Sequence, residues 1–162
     1  MKKAIYPGSF DPITKGHLDI IERSAAAFDE ITVVIMNNGL KKYTFTVEER
    51  LTMIQDALKE LPGRFKIDYY DGLLIDYLKE NDIQIVIRGL RALTDFNYEF
   101  QMSLTNRQLY PKCESVLFVT KNEYSYISSS IVKEVSMYHG DVSSMVPPNV
   151  KEALDAKYAG GR

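Results

Sequence analysis

Tryptophan is absent from the 162 residues, cysteine occurs once and histidine twice. The lone Cys113 excludes an intrachain disulfide and a four-cysteine zinc site. No apolar run approaches the ~18 residues that a membrane span requires. Met1-Lys2-Lys3 has the basic head of a signal peptide, but Pro7, Gly8 and Asp11 interrupt any apolar core behind it. Neither sign of charge dominates: 20 basic against 22 acidic residues leave −2, which argues against a nucleic-acid polymer as partner. What is present is ordinary globular material, 45% hydrophobic and 26% charged. A chain of this size should bury roughly 70% of its unfolded surface as one domain, 1–162, with no metal or disulfide staple. The expectation is a soluble, cytoplasmic protein of a reducing compartment.

Short apolar runs alternate with amphipathic stretches of helical length. Strands are predicted at 4–6, 31–36, 65–70, 83–87 and 115–119. The second is a β-branched run bounded by Asp29 and by Asn37-Asn38-Gly39. Helices are predicted at 16–28, 46–61, 73–80, 95–110 and 129–139, with a last one after Pro147-Pro148 that frays at Ala159-Gly160-Gly161. Thr46 and Glu49 form a capping box, and Val47, Leu51, Ile54, Leu58 and Leu61 then make a single apolar stripe. Asp95 suits the cap of the fourth helix, and Gly140 the position just past the fifth. Strands separated by helices imply βαβ units: an α/β fold with a doubly wound five-stranded parallel sheet. It is Rossmann-like, in the order 3-2-1-4-5, with C-terminal helices. Ligands of such sheets bind at the carboxyl ends of the strands, beside the point where the order reverses.

The polar clusters fall at those ends. Residues 6–17 join strand one to helix one through two prolines and two glycines. His17 then stands on the first helical turn, where free N–H groups favour an anion. Ser9 adds a hydroxyl to the same space. Arg88-Gly89-Leu90-Arg91 follows strand four and offers forked donors to phosphate oxygens. Ser128-Ser129-Ser130 opens a helix and can cradle another phosphate. Lys41 and Lys42 follow strand two on a polar loop. Taken singly, each has a plain alternative: an exposed helix-start histidine, solvated arginines and lysines, a one-serine cap.

Taken together they resemble a known family. Thr14-Lys15-Gly16-His17 matches the (H/T)xGH motif of the nucleotidylyltransferase superfamily, and Gly8-Ser9-Phe10-Asp11-Pro12 its leading segment. With residues 87–92, 95–99 and 124–134 in order behind them, the chain resembles the bacterial phosphopantetheine adenylyltransferases over essentially its whole length. The resemblance implies a nucleotidyltransferase of coenzyme A biosynthesis. Such an enzyme transfers the adenylyl group of ATP to 4′-phosphopantetheine by direct in-line attack, giving dephospho-coenzyme A and pyrophosphate. It implies that ATP meets Ser9, Phe10, His17, Gly89, Leu90, Arg91, Glu99 and the stretch Tyr124, Ser125, Tyr126, Ile127, Ser128, Ser129 and Ser130. Phosphopantetheine would meet Ser9, Lys41, Arg88 and the backbone of Leu74. His17, Ser9, Lys41 and Arg91 would carry the catalysis, the first two as donors and the others as clamps. Mg²⁺, held mainly by ATP phosphates and water, a homohexameric assembly and coenzyme A as a feedback ligand are further implications.

Ser9 stands where the family often has threonine, which keeps the hydroxyl. Ser130 and Lys133 replace the Thr and Arg of the wider Ile-Ser-Ser-Thr-x-x-Arg pattern, favouring this branch over the nicotinate-mononucleotide branch. Other classes stay open on the residues alone. They are nucleotidyl transfer to nicotinate mononucleotide or glycerol phosphate, a non-catalytic nucleotide-binding module, and a flavodoxin-like receiver. The last should offer clustered acids after strand one, where only Asp11 stands. An aminoacyl-tRNA synthetase would need an anticodon-binding region for which the chain has no room.

Overall fold

The computed structural model describes residues 1–37 and 39–160; Asn38 and Gly161, expected in a turn and at a frayed helix end, lie outside the described residues. Five strands, β1 (Lys3–Gly8), β2 (Glu30–Met36), β3 (Phe65–Tyr70), β4 (Ile85–Leu90) and β5 (Glu114–Val119), build one sheet. Every strand pairing among the described residues is parallel and the order is β3-β2-β1-β4-β5, as the alternating pattern predicts. β2 is apolar without alternation because both its faces are covered, and it is buried from Glu30 through Ile35.

Among the described residues six α-helices complete the fold: α1 (Lys15–Ser24), α2 (Val47–Leu58), α3 (Leu74–Glu80), α4 (Leu93–Leu109), α5 (Ser129–Met137) and α6 (Pro148–Tyr158). Successive strand side chains point to opposite faces, so β1 divides itself between two cores. Ala4 and Tyr6 join Ile20, Ile54, Val132 and Leu154 from α1, α2, α5 and α6. Ile5 joins Ile75 and Leu78 of α3, with Cys113 beside them. The α2 capping box forms as expected, with Thr46 and Glu49 satisfying each other's backbone N–H.

Several boundaries differ from the sequence expectation. Helix one stops at Ser24 instead of residue 28, because the Ala25 N–H is shared between the Ile21 and Glu22 carbonyls and the next turn tightens. The fourth strand starts at Ile85, since the Ile83 N–H is drawn back to Leu78 at the end of α3. At its other end it runs on to Leu90, so Arg88 and Gly89 sit inside the strand, paired with Leu117 and Phe118. Helix four starts at Leu93 with Ala92 as its cap; Asp95 turns its carboxylate to the Arg91 N–H instead. Past α5 the left-handed residue is His139 (φ 62°), and Gly140 serves a close approach to Val135.

Gly89 inside β4 also leaves room for a neighbouring side chain. A Cβ at Gly89 would overlap the δ-methyl of Ile20, which is buried under α1. Gly89→Ala is expected to cost about 1–3 kcal/mol by overpacking. A thermal melt should read this as a fall of several degrees; an unchanged melting temperature would show that α1 yields freely.

Candidate active site

The carboxyl ends of β1, β4 and β5 open into a cleft of about 420 Å³ beside the switch point between β1 and β4. The first turns of α1 and α5 both border it, bringing two sets of orphan N–H groups to one space. Thr14 caps α1, its hydroxyl facing the His17 N–H at 3.4 Å. The return bond of this capping box comes from an imidazole instead of the usual Glu or Gln: the Thr14 N–H donates to His17 Nδ1 at 3.0 Å. Nδ1 is therefore an acceptor, and in the neutral ring the proton sits on Nε2. Burial, then the charges of Arg91 and Arg88, push the His17 pKa down to about 4. At neutral pH His17 is a fixed, uncharged N–H donor.

The preceding loop is held by its own strain and packing. Phe10 adopts φ 46°, a left-handed conformation that costs a non-glycine residue on the order of 1 kcal/mol. Its buried ring offsets this by packing edge-on against Tyr6 (5.5 Å) and His17 (5.1 Å). Burial also drives the Tyr6 hydroxyl well above its ordinary pKa, so it stays protonated under the cleft.

Charged groups across the cleft come in pairs. Arg88 binds Glu99 in a fork, with Nε and Nη2 at 2.8 and 2.9 Å, and its Nη1 donates to the Pro7 carbonyl at 3.2 Å. Burial alone would ease its proton off, but the Glu99 carboxylate more than offsets that and raises the pKa. Arg91 reaches Asp95 through its backbone N–H and Nε, and the Ile127 carbonyl through Nη1. Lys41 lines the same cleft from the loop after β2.

The three serines divide their work. Ser128 is the N-cap of α5, accepting from the Ile131 N–H at 3.1 Å. Ser129 donates to the Pro12 carbonyl at 2.8 Å and ties α5 to the β1 loop. Ser130 is exposed on the cleft wall.

The sequence comparisons agree with this geometry. Residues 5–135 match the cytidylyltransferase-like family. A Dictyoglomus turgidum protein named phosphopantetheine adenylyltransferase is 51% identical over 158 residues, 98% of each chain. A Carboxydothermus hydrogenoformans protein of the same name is 52% identical over 158 residues, 98% of this chain and 97% of its own. A third, from Thermotoga neapolitana, is 50% identical over 159 residues and 98% of each chain. The chain belongs to the phosphopantetheine adenylyltransferase family.

For a member of this family, the cleft gathers most of the residues singled out by sequence: Ser9, Phe10, His17, Lys41, Arg88, Gly89, Arg91, Glu99, Ile127 and the three serines all border it. Leu74, Leu90, Tyr124, Ser125 and Tyr126 do not line it. Leu74 packs its side chain into the α3 core on the other face of the sheet. The Leu90 carbonyl accepts from the Thr120 N–H, extending the β4–β5 ladder. Tyr124 packs behind Gly16 and against the main core, Ser125 closes a turn onto Asn122, and Tyr126 is 56% exposed.

Two residues at the site, Asp11 and Thr120, carried no assignment in the sequence. Asp11, 4% exposed, accepts from the Thr44 and Phe45 N–H groups and from Lys133 Nζ, each at 2.9 Å. It thereby joins the loop before α2 to α5. The Thr120 hydroxyl, on the cleft wall at the end of β5, is buried and has no partner. No helix among the described residues is long and apolar enough to cross a membrane.

Proposed function

We propose that this chain transfers the adenylyl group of ATP to 4′-phosphopantetheine, forming dephospho-coenzyme A and pyrophosphate. One observation carries the assignment: Ser9, His17, Lys41, Arg91 and the three serines, from separated stretches of a chain about half identical to enzymes of that name, border one cleft. An oxygen of the acceptor phosphate forms a bond to the α-phosphorus of ATP. The bond to the bridging α–β oxygen breaks, and pyrophosphate leaves with that electron pair. The nucleophile is already an anion, so neither a general base nor an enzyme nucleophile is needed. Catalysis then consists of holding two repelling polyanions in line and stabilising charge on the α-phosphate.

His17 suits that second task. Its Nε2–H is aimed by the capping box before substrate arrives, and an uncharged imidazole donates this N–H while keeping its proton. Ser9 is the second donor. Lys41 and the Nη2 edge of Arg91, outside its bonds to Asp95 and Ile127, clamp the phosphates. Arg88 stands on the acceptor side, held by Glu99, which belongs to the ATP side. Among the described residues no three Asp, Glu, His or Cys side chains cluster, and the cleft carboxylates Asp95 and Glu99 are both engaged by arginines. That donor set suits Mg²⁺ held by ATP phosphates and water, where it would neutralise phosphate charge.

We place the reaction in the cytoplasm, in a homohexamer and under feedback by coenzyme A. The assembly draws support from α4, which leaves Leu93, Phe100 and Leu104 more than half exposed along one helix. The deciding experiment incubates the protein with ATP, Mg²⁺ and 4′-phosphopantetheine and looks for dephospho-coenzyme A by mass. Product with nicotinate mononucleotide or glycerol phosphate instead would move the chain to another branch. ATP binding without pyrophosphate release would make it a binding module.

A further inference from the structure

Among the described residues Arg50 is the largest fully buried side chain, yet it carries a permanent charge and forms no ion pair with any of them. Burying an unpaired guanidinium is costly, so its neutral partners must be well placed. They come from two loops. Nη1 donates to the Ser9 carbonyl at 2.8 Å, Nη2 to Asn37 Oδ1 at 3.2 Å, and Nε to the Thr46 carbonyl at 3.3 Å. The Tyr43 ring covers the guanidinium plane, 4.2 Å from centroid to Cζ. Ser9 belongs to the loop after β1. Asn37, Tyr43 and Thr46 span the loop between β2 and α2, which carries Lys41. α2 thus reaches up with one planar fork and fixes both loops to itself.

We propose that Arg50 is a positioning residue that sets the separation of Ser9 and Lys41 across the cleft. Resting on the adenylyl-transfer assignment, this gives the two groups facing the shared phosphates a common rigid mount. Lysine cannot replace the fork, because a point charge with one nitrogen cannot hold three acceptors in one plane. A displacement near 1 Å at a phosphoryl-transfer site costs on the order of a hundredfold in rate. The effect therefore belongs in kcat, while ATP binding, spread over many groups, changes little.

The test compares wild type, Arg50→Lys and Arg50→Ala in steady-state turnover, ATP titration and limited trypsin cleavage after Lys41 and Lys42. Arg50→Lys is expected to lose about ten- to a hundredfold in kcat, with the ATP Kd within about threefold of wild type. Trypsin should cut its loop several times faster at a temperature well below the melt. Methylguanidinium should restore part of the turnover of Arg50→Ala, which a general loss of packing would not allow. Turnover of Arg50→Lys within twofold of wild type, or a loss confined to KM, overturns the proposal. Wild type that releases no pyrophosphate overturns the adenylyl-transfer assignment instead, and the cleavage rates then decide the role of Arg50 alone. Equal rates in wild type and Arg50→Lys refute it.

Discussion

Replacing His17 by alanine is expected to lower turnover by about 10²–10³ while leaving ATP affinity within a few-fold of wild type. The magnitude is that of removing one preorganised donor from a site where charge develops. The split between turnover and binding follows from geometry. Nδ1 is occupied by the Thr14 N–H, so only Nε2 faces the reaction, and an uncharged donor adds little to the binding of a ground-state polyanion. Alanine also leaves the Thr14 N–H without its partner and should cost α1 about 1 kcal/mol of cap stability. His17→Gln can return the bond to Thr14, so it should recover the stability and not the rate. Near-normal turnover in a folded alanine variant would remove His17 from the chemistry.

The same geometry fixes a pH response. His17 has its ordinary pKa of 6.5 in the unfolded chain and about 4 in the folded one. Above pH 6.5 both states carry a neutral ring, so it contributes no pH dependence. From pH 6.5 down towards 4 the unfolded chain takes up a proton that the folded chain refuses, and stability falls. Nitrogen-15 shifts of the ring should report the Nε2–H tautomer unchanged from pH 8 to 5. A ring titrating near 6.5 would mean that the imidazole is solvated and away from Arg91 and Arg88 in solution.

The second large effect is on stability. Glu99→Ala is expected to cost about 2–3 kcal/mol, a fall of roughly 5–10 °C in melting temperature. Glu99 is 8% exposed, and its loss strands an arginine whose side chain is 30% exposed with only the Pro7 carbonyl for company. The residual exposure of Arg88 keeps the cost below that of a fully buried pair. Combining Arg88→Met with Glu99→Leu should return most of the stability, since two apolar groups leave no unpaired charge. Turnover should stay low in the double variant, because a phosphate-side arginine is gone. A single Glu99→Ala variant melting within 1 °C of wild type would show that the fork contributes nothing.

The sheet was legible because its signals are local. β-branched runs, turn residues and a capping box identify the five strands and their helices, and the Rossmann-like doubly wound pattern supplies the order. What escaped was set by contacts between distant segments. Arg88 reads as a loop residue by pattern, but β5 extends its pairing to Val119 and draws residues 88–90 into the strand. Asp95 reads as a cap, yet the nearby Arg91 competes for it and wins. At the site, motif spacing found Ser9, His17, Arg88, Arg91 and the three serines, which sit at strand ends or first helical turns, while Lys41 on its loop and Glu99 within α4 came only from the resemblance. It missed Asp11 as a hub and Arg50 as a mount. A buried charge bound by carbonyls from other segments leaves no periodic trace along the chain. Leu74 shows the converse: the resemblance points to a backbone contact, while its side chain belongs to another core.

Cys113, 2% exposed on the α3 face and with its thiol pKa raised by burial, lies in the core opposite the one that packs under the cleft. A thiol reagent reaches it only when that core opens, and no second sulfhydryl competes for label. The chain therefore carries a built-in tag for its own breathing. Labelling kinetics of the purified protein, with and without added nucleotide, would measure ligand protection without a reporter dye.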